Sequence, residues 1–169
     1  PPAPRDLTPN TATRSPLTTA PATQPPAPDA NAERNPVRRT LAPAVLSEQQ
    51  LYQMAYDSVI NSNFERSIAE FDQYLSIYAQ GRFVTNAYYW KGQAFLYLGR
   101  FDEARASYEL ILDQYADSPK LPDAMYGLGL AYEGLGNTSR ARQLLTDIKQ
   151  RFPNTGVANL ADTRLLSLD

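Results

Sequence analysis

A repeat of 37 residues constrains the fold of this chain more than any other feature of its sequence. When the sequence is shifted along itself by 37 positions, three segments align between residue 46 and the C-terminus. Large aromatic residues match at Tyr52, Tyr89 and Tyr126, and small residues match three positions later at Ala55, Gly92 and Gly129. Chains with such a period fold as similar units that bury their apolar faces against one another.

Each segment has the apolar spacing of two helices. In the middle segment the first helix presents Tyr88, Gly92, Phe95 and Gly99 on one face, and the second presents Phe101, Ala104, Tyr108 and Ile111. Glycine suits the end of a helix, so Gly99 marks the turn between the two. Gly92 and Ala104 allow the paired helices to approach closely, while the aromatic residues fill the space beside them.

A unit of two helices with this period resembles the tetratricopeptide repeat. The sequence therefore predicts an all-α fold, and Ser47 with Gln50 has the pattern of a capping box that starts it. We expect three helix pairs in a right-handed superhelix, followed by a C-terminal capping helix. The predicted boundaries are about residues 47–82, 83–119 and 120–155 for the repeats and about 156–168 for the cap.

Residues 1–45 differ in composition from the repeats. They hold 11 of the 14 prolines and none of the aromatic residues, so they bury too little apolar surface to offset their chain entropy. We therefore predict a disordered Pro-rich linker over residues 1–45 and a folded domain over residues 46–169. The linker is interpreted first as a spacer, and a docking strand for a partner's aromatic groove is the alternative.

Composition excludes several function classes. Because the chain has no cysteine and no histidine, it lacks thiol nucleophiles, imidazole bases and the usual metal ligands, so no enzyme, cofactor or metal site is expected. Net charges of +2 for residues 1–45 and −4 for the remainder are too small for a nucleic-acid surface. No apolar run approaches ~20 residues, so direct membrane insertion is not expected.

The repeat sequence resembles one family in particular. The segments YYWKGQA, YADSPKLPDAMYGLG and RFPNT, with the Pro-rich stretch before them, are similar to the C-terminal domain of the YbgF/CpoB family of the Tol-Pal envelope system. The resemblance implies a periplasmic adaptor of a Gram-negative bacterium that binds the periplasmic part of TolA. It implies a bifunctional penicillin-binding protein as a second partner. It also implies a role in coordinating septal peptidoglycan synthesis with outer-membrane constriction during cell division.

Two further expectations concern the wider protein. Members of that family carry a trimerising coiled coil, which is not expected here because no heptad pattern precedes residue 46. A second interpretation keeps the fold and changes the role to an outer-membrane lipoprotein-type scaffold that handles membrane-protein precursors. That scaffold would carry an acylated cysteine, which this sequence lacks, so the adaptor is preferred.

The candidate binding surface is the concave face, which the first helix of each pair lines in a superhelix of this kind. For Tyr52, Tyr89 and Tyr126, packing between repeats and direct ligand contact are both open, since tyrosine suits either role. Trp90 is expected to be structural, with Gly127 as the small residue that receives its indole. The predicted protein-binding residues are Gln49, Tyr52, Tyr56, Asn86, Tyr89, Trp90, Gln93, Tyr97, Asp123, Tyr126, Leu130 and Glu133.

Overall fold

The computed structural model describes residues 45–169, which form seven α-helices and, within this range, no strand. The linker predicted for residues 1–45 therefore lies outside the described residues, apart from Val45. The helices are α1 (Glu48–Ile60), α2 (Phe64–Ile77), α3 (Val84–Tyr97), α4 (Phe101–Gln114), α5 (Leu121–Gly134), α6 (Thr138–Arg151) and α7 (Gly156–Ser167).

The helices pack in sequential pairs, as the sequence predicts. α1 packs on α2, α3 on α4 and α5 on α6, and the first helices of successive pairs also touch, α1 with α3 and α3 with α5. The single helix α7 covers the end of the stack, where it packs on α6 and α5. The prediction of three helix pairs with a capping helix is confirmed.

Local signals set the helix ends. Ser47 accepts a hydrogen bond from the Gln50 backbone, and the Gln50 side chain accepts one from the Ser47 backbone, so the predicted capping box is present. Gly99 ends the first helix of the second pair with a φ of +70°, a left-handed conformation that glycine adopts without a side-chain clash. Pro122 lies in the first turn of α5, where its missing N–H costs nothing.

Tyr108 is the largest side chain at the centre of the stack, where it is fully buried. Its ring lies between Gly92 and Gly127, because a Cβ atom built on Gly127 would come within 2.4 Å of its Cζ and one built on Gly92 within 2.6 Å. The prediction that Gly127 receives the indole of Trp90 is therefore wrong. The glycine makes room for Tyr108, which reaches it from the second helix of the preceding pair.

Lys91 occupies a position that the repeat pattern would fill with an apolar residue. Its ammonium lies 2.5 Å from a carboxylate oxygen of Asp72 and 5.9 Å from the ring centres of Tyr88 and Phe95. Only 16% of its side chain is exposed. The aliphatic stem thus packs on aromatic rings, and the charge ends at the partly exposed Asp72 on α2.

Candidate functional site: two regions of the concave face

The candidate residues fall into two regions that differ in how well they are filled. We call the first region the aromatic shelf, and its members are Tyr52, Tyr56, Phe83, Tyr89 and Trp90. We call the second the pocket, an open cavity of about 440 Å³. It is lined by Gln93, Leu96, Tyr97, Phe101, Tyr126, Leu130, Glu133, Gly134 and Arg164.

In the aromatic shelf, the rings pack on one another. Tyr52 stacks on Phe83 with ring centres 4.6 Å apart, and Trp90 meets Tyr56 and Tyr89 edge-on at 5.2 and 5.1 Å. The ammonium of Lys120 lies 4.7 Å from the ring centre of Tyr89. Such pairs stabilise the joint between repeats, and each ring of the shelf is half-buried.

Two hydroxyl groups of the shelf, those of Tyr52 and Tyr89, have raised pKa values. Burial raises the pKa of Tyr89 to about 12, with a further contribution from the charge of Asp123. Burial also raises the pKa of Tyr52, while the polar groups of Trp90 and Asn86 oppose that shift. Tyr89 accepts a hydrogen bond of 3.1 Å from the Gln93 amide, which links the shelf to the edge of the pocket.

In the pocket, the walls are apolar and the rim is polar. Five of the predicted residues line it, namely Gln93, Tyr97, Tyr126, Leu130 and Glu133. Tyr97 is 70% exposed, yet its ring stacks on Phe64 with centres 4.7 Å apart and planes 5° from parallel. An exposed ring that is already held by a neighbour loses little freedom when a ligand covers it.

An ion pair closes the end of the pocket. Arg164 of the capping helix donates two hydrogen bonds to the carboxylate of Glu133, at 2.8 and 2.6 Å. The Glu133 carboxylate correspondingly raises the pKa of Arg164. The guanidinium and the carboxylate neutralise each other, so the wall between α5 and α7 carries no net charge.

The third repeat differs from the second at two positions of the concave face. Gly127 and Gly134 stand where the preceding repeat has Trp90 and Tyr97, so α5 presents two small residues where α3 presents two rings. From the opposite side, Phe101 fills the space at Gly134, where a Cβ atom would come within 2.4 Å of its ring. The third repeat therefore lacks the shelf that the first two repeats build.

Sequence reasoning missed several residues of the site. Leu96 and Arg164 line the pocket, Lys120 covers Tyr89, and Phe101 was assigned only to the interface between paired helices. A signal for Arg164 was present, because a second shift of 37 positions carries Trp90 through Gly127 to Arg164. Lys120 had a similar signal, because a shift of 37 positions carries the shelf residue Phe83 to Lys120.

The other predicted residues lie at the edges of the two regions. Gln49 is exposed near the start of α1, and Asn86 lies beside the Tyr52 hydroxyl. Asp123 lies near Tyr89, where its charge contributes to the raised pKa. No helix within residues 45–169 combines the length and the apolar character that a membrane span needs.

Comparison with solved structures supports the architecture. The TPR domain of OM64 from Arabidopsis is 17% identical, with a TM-score of 0.58 over 70% of this chain and 93% of that one. A TPR-like protein from Chlorobium tepidum is 17% identical, with a TM-score of 0.59 over 72% and 93% of the two chains. The type III secretion translocator chaperone SycD of Yersinia enterocolitica is 18% identical, with a TM-score of 0.59 over 74% and 92%.

Family membership rests on the sequence match. A comparison with functionally curated proteins gave no match. The tetratricopeptide repeat family matches residues 52–119 and 91–154, which together span all three helix pairs. Repeats of this kind stack into scaffolds whose concave surfaces bind other proteins. The chain belongs to the tetratricopeptide repeat family, and it is a protein-interaction scaffold.

Proposed function

We propose that this protein is a non-enzymatic periplasmic adaptor that binds TolA. In this role it helps to coordinate septal peptidoglycan synthesis with outer-membrane constriction, and a bifunctional penicillin-binding protein is its second partner. The support has two parts. The family membership supplies the scaffold, and the resemblance of YYWKGQA, YADSPKLPDAMYGLG and RFPNT to the YbgF/CpoB family supplies the partner.

The open pocket is the single observation that carries the proposal. A partner segment needs exposed, preorganised apolar surface together with a few polar groups, and the pocket offers both. Tyr97 is held by Phe64, Tyr126 and Leu130 form the adjoining wall, and Glu133 with Arg164 closes the end. The aromatic shelf offers less, because its rings already pack on one another.

The test is an amide NMR titration of the full chain with the periplasmic part of TolA. Chemical-shift changes at Gln93, Tyr97, Tyr126 and Leu130 are the expected result. The combined variant Tyr97→Ala and Tyr126→Ala should weaken binding by at least tenfold while the spectrum stays dispersed. Equal affinity in that folded variant would remove the pocket from the interface, and the absence of any shift at high TolA concentration would overturn the partner assignment.

A matched variant controls for surface effects. Arg105→Ala changes a partly exposed residue of α4, whose ion pair with Asp102 lies within that helix. Surface ion pairs of this kind contribute little to stability. The affinity of this variant for TolA should equal that of the unmodified chain.

A further inference from the structure

The side chain of Tyr108 extends from α4 between two helices of the concave face, α3 and α5. The end of its ring lies between Gly92 of α3 and Gly127 of α5. In sequence, Gly92 precedes Gln93 and Gly127 follows Tyr126, and both of those neighbours line the pocket. The hydroxyl also lies near Tyr89 and Tyr97, which contribute to its raised pKa after the larger effect of burial. The end of the Tyr108 ring therefore lies between α3 and α5, the two helices that supply most of the residues lining the pocket.

That hydroxyl has no hydrogen-bond partner within residues 45–169, although its oxygen is buried. A buried hydroxyl without a partner costs about 1–3 kcal/mol, so folded proteins rarely keep one without a reason. A phenylalanine would fill the same slot between the glycines without that cost. Tyr74 shows the usual arrangement, since its buried hydroxyl donates to Glu48 and accepts from the Phe83 backbone.

Tyr89 and Gln93 connect the surroundings of the Tyr108 ring to the pocket. The ring of Tyr89 lies 6.2 Å from the ring of Tyr108, and the Tyr89 hydroxyl accepts the hydrogen bond from Gln93. The Gln93 side chain is half-buried, and it lines the pocket. A ligand carbonyl that enters from the pocket would reach the hydroxyl only after Gln93 changes its rotamer.

The charges at the pocket define the occupant that it suits. Glu133 and Arg164 are paired with each other through two hydrogen bonds, so neither offers a free charge to a ligand. Leu96, Phe101 and Leu130 supply apolar walls. An uncharged peptide segment with one large apolar side chain matches these walls, whereas a charged side chain would lose its hydration without gaining a partner.

We propose that the pocket binds such an uncharged segment, and that the Tyr108 hydroxyl donates a hydrogen bond to a backbone carbonyl next to the apolar side chain. Tyr108 is then a specificity-determining residue at the floor of the interface, in addition to its place in the core. This inference deepens the proposed function and rests on it, because it describes how the scaffold recognises its partner segment.

The test uses a small probe that does not depend on TolA. N-acetyl-phenylalanine methylamide is uncharged and carries an apolar side chain beside two carbonyl groups. It is titrated into the full chain and into Tyr108→Phe, with the amides of Gln93, Tyr97, Tyr126 and Leu130 as the readout. We expect saturable shifts in the unmodified chain and at least tenfold weaker binding in the variant.

Two controls make the result specific. Tyr74→Phe removes a buried hydroxyl of the first pair and should bind the probe as the unmodified chain does. The corresponding N-acetyl methylamides of aspartate and lysine should bind more weakly than the phenylalanine probe. Equal binding by Tyr108→Phe, tighter binding of a charged probe, or no shifts at the pocket would each overturn the inference. TolA binding in the separate titration would still stand in those cases, so the two failures are distinguishable.

Discussion

The aromatic shelf and the pocket derive from equivalent positions of one repeat, yet only one of them is open. All three equivalent tyrosines are half-buried. Tyr52 and Tyr89 pack on other aromatic rings, whereas Tyr126 packs on the apolar cluster of the third repeat and also lines a cavity. Equivalent positions in the repeat therefore serve different purposes. The rings of the shelf pack on one another, whereas the residues of the pocket leave a cavity open.

The difference arises from the unit that comes after each tyrosine in the chain. A complete repeat comes after Tyr52 and supplies Phe83 and Trp90, whose rings fill the shelf. After the repeat of Tyr126 comes the capping helix α7, which supplies Arg164 at the position of Trp90. A guanidinium held by Glu133 closes the cavity at its end without filling it. The concave face therefore keeps a cavity where α3 and α5 lie beside the capping helix.

The largest expected effect is on stability, and it compares a residue of the shelf with a residue of the pocket. Trp90→Ala removes a half-buried ring that contacts Tyr56 and Tyr89, so the free energy of unfolding should fall by about 2–3 kcal/mol. Tyr97→Ala removes a ring that is 70% exposed, so the loss should stay below about 1 kcal/mol. Urea denaturation followed by circular dichroism measures both. A larger loss for Tyr97→Ala would contradict the division of the concave face.

The next effect compares two glycines of one helix. A Cβ atom on Gly127 would lie 2.4 Å from the ring of Tyr108, so Gly127→Ala should destabilise the fold by about 1–3 kcal/mol. At Gly129 the nearest atom is 3.4 Å away, an ordinary contact, and Gly129→Ala should gain up to about 1 kcal/mol from helix propensity. Thermal unfolding of the two variants should therefore shift in opposite directions. If both unfolding temperatures shifted in the same direction, the packing of Tyr108 would not require a glycine at position 127.

A smaller effect compares two buried hydroxyl groups. Tyr74→Phe leaves Glu48 and the Phe83 backbone N–H with one partner fewer, which should cost about 1–2 kcal/mol. Tyr108→Phe removes a hydroxyl without a partner and should leave stability unchanged or raise it by up to about 1 kcal/mol. Chemical denaturation of both variants measures the difference. Destabilisation by Tyr108→Phe would show that its hydroxyl has a partner in the free protein.

The fold could be predicted from the sequence because the repeat encodes it three times. Each unit carries the same small and apolar positions, and local signals such as the Ser47 capping box and Gly99 fix the helix ends. These interactions lie within one unit or between neighbouring units. A period read from the sequence therefore contains them.

The site was harder to predict, because it depends on where the repeats differ. The repeat pattern placed Tyr126 and Tyr97 on the concave face, but it could not show that one tyrosine lines a cavity while its equivalents pack. It also could not show that Gly127 accommodates Tyr108 instead of Trp90. Which of the two aromatic side chains contacts the glycine depends on the three-dimensional positions of their helices. Sequence spacing does not give those positions.

The smallest expected effect concerns acid at the shelf end of the molecule. The Glu48 carboxylate accepts hydrogen bonds from the Tyr74 hydroxyl at 2.8 Å and from the Arg82 backbone at 2.5 Å, next to Phe83 of the shelf. The bond from Tyr74 is the main cause of a pKa below the ordinary value of 4.5, which burial partly opposes. Because the folded-state pKa is lowered, the stabilisation is present above about pH 4.5 and is lost as pH falls through the folded value.

Trp90 is the only tryptophan, so its fluorescence reports on the shelf during urea unfolding at pH 7 and near pH 4. Glu48→Gln should reduce the drop in the urea midpoint between the two pH values, whereas Glu65→Gln, a change at an exposed carboxylate of α2, should preserve it. An unchanged drop in Glu48→Gln would mean that the acid sensitivity of the shelf comes from another carboxylate.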